Sequence, residues 1–148
     1  MALNFRLQKV DADDPAVWAR IVAMDAKCFE KGFAPALSSN DGAWWIATVD
    51  GMDAGYCGIK EHEPGVAYLC RAGVIPRFRG GGLQKLMIRR RLAWARKEGF
   101  KSVVSDTCDS PASANSLIAC GFRMFSPAKP WSFEYACYWR LLLLPKTK

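Results

Sequence analysis

The 148 residues predict a single α/β (α+β) domain in which helices alternate with the strands of a largely antiparallel sheet. Three observations carry this prediction. Asp50-Gly51, a two-residue hairpin signal, separates two apolar segments at 44–49 and 54–60. An apolar strand at 66–75 runs into the cluster Gly80-Gly81-Gly82, and a helical apolar period follows over 83–98. No repeat, low-complexity tract or linker divides the chain, and 51% hydrophobic residues suffice for one core at this length.

Taken in order, residues 3–9 alternate like a strand. Asp13 or Asp14 caps a helix with Pro15 at its first position and Val17, Ile21, Met24 and Cys28 as its apolar stripe. Residues 31–41 read as a loop or a short second helix. After the hairpin, Glu63-Pro64-Gly65 turns the chain into 66–75; Gly99 then closes the long helix, and 101–106 is the next strand. A shorter helix over 111–120 ends at Gly121-Phe122. Strands near 122–125 and 133–142 flank a loop that contains Pro130 and Trp131, giving the order β-α-(α)-β-β-β-α-β-α-β-β.

The six cysteines (Cys28, Cys57, Cys70, Cys108, Cys120, Cys137) include no C-x-x-C pair and sit mostly in apolar runs. They read as buried free thiols of a reduced, cytoplasmic protein. His62 is the only histidine, so no metal is expected. The first residues show no secretory pattern, and the aliphatic run at 141–144 is too short to span a bilayer, so no membrane is expected either. The net charge is +7, but Lys85, Arg89 and Arg96 share one helical face, the ordinary mark of a solvated surface. Electrostatic attraction of a phosphate-bearing ligand is the other use of that charge.

The chemistry centres on Val74-Ile75-Pro76-Arg77-Phe78-Arg79-Gly80-Gly81-Gly82-Leu83. Glycines let the backbone take φ > 0 and approach a ligand, and the free N–H groups of the first helical turn face an anion such as a pyrophosphate. A nucleotide P-loop needs Lys-Ser/Thr after its last glycine, where Leu83-Gln84 stands. A dinucleotide fingerprint needs Gly or Ala three residues after Gly82, where Lys85 stands, although Asp106 ends the next strand where a ribose-binding acid would be. A plain glycine-rich connection is the bland alternative.

The segment resembles motif A of the GCN5-related N-acetyltransferases, V-x-P-x-x-R-G-x-G-[IL], through Val74, Pro76, Arg79, Gly80, Gly82 and Leu83. It departs at Gln84, where that family has Gly or Ala. The element order and the Gly121-Phe122 closure match as well, so the resemblance covers nearly the whole chain. It implies a mixed, mostly antiparallel central sheet of six to seven strands with about four helices on its faces, splayed at strands 4 and 5. It also implies acetyl-CoA as cosubstrate and direct transfer of acetyl to a primary amine in a ternary complex. Pyrophosphate would be held by main-chain donors of Arg79, Gly80, Gly81, Gly82, Leu83 and Gln84. Main-chain groups of Ala72, Gly73 and Val74, on a bulged strand, would take pantetheine and the thioester, and Ser113 is assigned to the same cofactor site.

The implied acceptor is a small amine or a peptide amine, and the protein a monomer or homodimer. A lysine-like acceptor of pKa about 10.4 has roughly one amine in 10³ neutral at pH 7, so a base is expected. Residues 66–70, where relatives carry a carboxylate, have none; Glu61, His62 and Glu63 are the nearest candidates, with Asp25, Glu30 and Asp106 behind them. Merely solvated acids at a hairpin end are the bland alternative. The family's Asn and Tyr positions fall on Ser110 and Leu117, and Leu117 donates no proton. Ser113, Ser116, Tyr135 and Tyr138 are the substitutes, although a thiol of pKa about 8.5 leaves passably as thiolate. Acceptor recognition falls to the segment before strand 2 and to 126–131 with Trp131, while Arg71 meets a substrate carboxylate or a nearby acid. Two other classes stay open: a non-catalytic CoA- or acyl-CoA-binding module of the same fold, and a basic nucleic-acid-binding domain, which lacks RNP or zinc-finger patterns.

Overall fold

In the computed structural model, which describes residues 4–29, 37 and 40–143, Asp50 and Gly51 have φ of 51° and 78°. That left-handed pair makes the tight turn joining β2 (Ala43–Val49) to β3 (Met52–Glu63), and β1 (Arg6–Val10) lies antiparallel on the other side of β2. β4 (Val66–Val74) pairs antiparallel with β3. With β5 (Ser102–Thr107), β6 (Arg123–Phe125) and β7 (Cys137–Leu142), these strands form one seven-stranded sheet in the order β1-β2-β3-β4-β5-β7-β6. Among the described residues only β4 and β5 pair in parallel. This is the mixed, mostly antiparallel sheet expected from the sequence.

Three α-helices cover the sheet among the described residues, rather than about four: α1 (Pro15–Cys28), α2 (Leu83–Lys97) and α3 (Pro111–Ala119). The possible second helix at 31–41 falls largely outside the described residues. Asp14 caps α1 by accepting from the Ala16 N–H at 2.9 Å, and Gly99, at φ 87°, ends α2. Both faces of the sheet are covered, so β2 alternates between two cores. Ala43, Trp45, Ala47 and Val49 pack with Leu83, Met87, Ile88 and Leu92 of α2, whereas Trp44 and Ile46 pack with Ile21 and Met24 of α1.

Several strands differ by a few residues from their expected bounds. β3 continues past residue 60 to Glu63. β7 begins at Cys137 rather than 133, because Ala136 N–H donates to the Phe133 carbonyl at 2.9 Å and closes a turn first.

The register of β4 positions the site. Gly58 of β3 opposes Arg71 and Lys60 opposes Tyr68, so β4 carries one extra residue at Leu69-Cys70, a β-bulge. On its other edge β4 pairs with β5 at Val66↔Ser102, Ala67↔Val103 and Tyr68↔Val104 only. The two strands part where the bulge begins.

Candidate active site

At the end of β4 the chain makes a 3₁₀ turn (Pro76–Phe78) and enters the glycine loop. Gly80 and Gly82 have φ of 85° and 84°, and Gly82 is the residue that opens α2. The helical ladder starts with Leu86 N–H to the Gly82 carbonyl at 3.2 Å, so the amides before it have no helical acceptor. A Cβ added at Gly80 or Gly82 meets no atom within 4 Å. Their positive φ favours glycine, but packing in the protein does not require the space a side chain would fill; an anion laid against the open backbone would.

Arg79 differs in detail from its expected part. Its N–H donates to the Pro76 carbonyl at 3.2 Å and its Nε to the Val74 carbonyl at 3.1 Å. The free main-chain donors therefore begin at Gly80, and Arg79 folds back onto the end of β4. Gly73 stands beyond the bulge. The bulge lies at Leu69-Cys70, and a Cβ at Gly73 would stand 2.7 Å from the Tyr56 ring and 2.8 Å from Cys28 Sγ, so this glycine serves close packing.

Between the parted strands lies a cleft of about 680 Å³. Cys70, Arg71 and Ala72 of β4 form one wall, and Ser105 and Asp106 of β5 the other. Gln84, Ile88 and Arg91 reach it from α2, Ser113 and Leu117 from α3, and Trp131 from the loop before β7. Ser113 Oγ accepts from Ser110 Oγ at 2.9 Å. Leu117 fills the position of the family Tyr with a side chain 4% exposed.

Two charged groups stand out in the cleft: Arg91, which was not among the expected site residues, and Asp106, expected only as a more distant candidate base. Arg91 is 2% exposed, although its neighbours Arg89 and Arg90 are exposed. Its Nε donates to the Met87 carbonyl and its Nη1 to the Gly58 carbonyl, both at 3.1 Å, so a buried guanidinium is tied to β3 at the register break. Asp106 gathers donors from three directions. Tyr68 OH and Trp131 Nε1 donate to its Oδ1 at 2.6 and 3.1 Å, and Ser132 Oγ donates to its Oδ2 at 2.9 Å. Burial, then the charge of Asp106, raise the Tyr68 phenol pKa, which keeps that hydroxyl a donor.

The other candidates lie as follows. Glu61 and Glu63 are exposed at the outer end of β3 and do not line the cleft. His62 between them has its ring 4.6 Å from that of Trp131. Tyr138 is 8% exposed, accepts the Ser132 N–H at 3.0 Å and packs 4.6 Å from Trp131, so it buttresses the loop that holds Trp131 in the cleft. Ser116 donates to the Ala112 carbonyl, and Tyr135 is 83% exposed. Arg71 is paired with Asp25, Nε to Oδ1 at 2.9 Å and Nη2 to Oδ2 at 3.0 Å, and Asp25 also accepts from Tyr56 OH. Glu30 lies outside the described residues. Among the described residues no group of His, Cys, Asp or Glu is arranged to hold a metal ion, and no helix is long and apolar enough to cross a membrane.

Comparison with known proteins agrees with this fold. The rat (Rattus norvegicus) N-acetylaspartate synthetase is 34% identical over 82 residues, which are 54% of this chain and 27% of that protein. The chain thus spans about a quarter of the length of that curated relative. An acetyltransferase from Streptococcus agalactiae superposes with a TM-score of 0.74 at 16% identity, covering 94% of this chain and 98% of that one. The structure of yncA from Salmonella typhimurium, solved with its cofactor acetyl-CoA, superposes with a TM-score of 0.68 at 13% identity, covering 97% and 96%. Residues 11–122 match the Acetyltransferase (GNAT) family, and a match over that much of the chain makes it a member of that family.

Proposed function

We propose that the protein moves acetyl from acetyl-CoA to a primary amine by direct transfer in a ternary complex. The observation that carries this is the parting of β4 from β5 after Tyr68 and Val104, beside a helix whose N-terminus is opened by Gly80 and Gly82. The free amides of Gly80, Gly81, Gly82, Leu83 and Gln84 are suited to the pyrophosphate. The unpaired β4 edge at Ala72, Gly73 and Val74 is suited to pantetheine, with Ser113 on the facing helix. In the reaction the acceptor nitrogen attacks the acetyl carbonyl carbon, the new C–N bond forms and the C–S bond breaks. An amine that arrives protonated loses two protons overall; one can finish on the CoA thiolate and the other goes to solvent.

Three carboxylates are available to that proton path. Asp106 lies in the cleft, whereas the exposed Glu61 and Glu63 would act through water. Leu117 supplies no acid to the leaving thiolate. The departing sulfur would be protonated by water or by the Tyr138 hydroxyl, whose oxygen accepts the Ser132 N–H and whose own O–H is left to donate.

The test is release of free thiol from acetyl-CoA across an acceptor panel of alkylamines, polyamines, amino acids and peptide amines. Aspartate belongs in it because the rat relative is an N-acetylaspartate synthetase. Acetyl-CoA binding without turnover on any amine would favour the non-catalytic module of the same fold.

A further inference from the structure

Asp106 is a carboxylate in the cleft whose donors are all neutral: a phenol, an indole and a serine hydroxyl. Among the described residues neither Lys nor Arg pairs with it. Three donors fix its orientation and leave its charge uncancelled, facing a cavity with room for a ligand. The surroundings are aromatic. The ring of Trp131 lies 6.1 Å from that of Tyr68 and 4.6 Å from that of His62, and both Tyr68 and Trp131 line the cleft. A carboxylate oriented by the edge N–H of Trp131 and the O–H of Tyr68, in a cleft those aromatic residues line, is an arrangement that attracts an organic cation by charge and hydrogen bonding.

We propose that Asp106, walled by Trp131 and Tyr68, binds the acceptor as an alkylammonium. This rests on the transfer reading above and names its substrate class: aliphatic amines charged at neutral pH, rather than arylamines or other neutral nucleophiles. Asp106 would touch the substrate, and it offers the first proton a place to go. The N–H bond breaks with its electron pair left on nitrogen, and the proton passes to the carboxylate and on to solvent.

The experiment follows the indole ¹H–¹⁵N resonance of Trp131, assigned by loss of its signal in Trp131→Phe, because that N–H donates directly to Asp106. The 148-residue chain, with and without saturating CoA, is titrated with n-butylammonium chloride and separately with n-butanol. Butylammonium is expected to shift this resonance saturably, butanol is not, and Asp106→Asn should weaken ammonium binding about ten- to a hundredfold. A retained CoA-induced rise in melting temperature shows that D106N is folded; should it not fold, the wild-type comparison of the two probes decides alone. Equal response to the two probes, no response to either, or undiminished binding in D106N overturns the proposal. So does loss of ammonium binding in Glu61→Gln/Glu63→Gln with retention in D106N, which would move the site to the mouth. Failure of the transfer reading is read separately, as absence of the CoA-induced melting shift or of thiol release by the wild type.

Discussion

Gly82→Asp is the substitution for which the structure separates ligand binding from folding. A side chain at Gly82 meets nothing within 4 Å, so the only cost to the free protein is holding a non-glycine residue at φ 84°. That cost is about 1 kcal/mol, and the melting temperature of the free protein should fall by about 2–4 °C for a chain of this size. Acetyl-CoA at about 100 times its Kd stabilises the wild type by about 2.7 kcal/mol, or roughly 5–11 °C. An aspartate carboxylate about 4 Å from one phosphate charge opposes binding by about 1 kcal/mol in water and about 4 kcal/mol at a protein surface. Two phosphate charges and the lost space make a weakening of about a hundredfold or more, which leaves about 0.4 kcal/mol at the same ligand concentration. Thermal melts of both proteins with and without acetyl-CoA measure each quantity, and Gly82→Asn removes the charge while keeping the bulk. A full ligand shift in Gly82→Asp would refute the assignment of the pyrophosphate to this loop.

Leu117→Tyr should raise kcat no more than a few-fold and cost about 1–3 kcal/mol by overpacking a position 4% exposed; a hundredfold gain in turnover would show that protonation of the leaving thiolate limits the native protein. Asp25→Ala leaves the Arg71 guanidinium without its bidentate partner and the buried Tyr56 hydroxyl without its acceptor, and urea melts should show a loss of about 3–5 kcal/mol. Burial pushes the Cys57 thiol from its ordinary value near 9 up to about 11. The folded state therefore holds the proton more tightly, and this group's contribution is intact below pH 9 and lost as the pH rises to 11. Comparison of wild type with Cys57→Ala over that window should reveal a component of about 2–3 kcal/mol in the pH dependence of wild-type stability that the variant lacks.

What was legible in the sequence is what local chemistry dictates. Asp50-Gly51 demanded a tight turn and both residues have φ > 0; Asp14 and Pro15 marked the start of α1; Gly82 and Gly99 bracket α2. The splay of β4 from β5 followed from the family resemblance, and the bulge that accompanies it came two residues earlier than Ala72. The side chains of the cleft were harder to foresee. Arg91 sits in a stripe with Met87, Ile88, Leu92 and Ala95, and that spacing was a sign of burial, but nothing local reveals that a β3 carbonyl awaits it. Asp106 and Trp131 are 25 residues apart in the chain and joined by one hydrogen bond. Glu61 and Glu63 precede β4 in sequence but stand exposed at the outer end of β3, whereas the cleft is lined by β4 beyond its bulge, by the end of β5 and by the loop that carries Trp131.

Arg91 gives α2 a second duty. From Leu83 to Arg91 the helix rises about 12 Å, at 1.5 Å per residue. One stiff rod thus carries the anion-facing amides at its start and, two turns along, the guanidinium that grips the sheet where its register breaks. In the proposed complex it would work as a gauge, referring both ends of an extended thioester to the same ruler. A single residue inserted between Gln84 and Arg90 would turn Arg91 by about 100° away from the Gly58 carbonyl and lengthen the distance between the two marks. Changes in chain length across homologues should therefore be absent from that stretch of α2 and gather instead in the segment between β6 and β7, which carries Trp131 at the cleft.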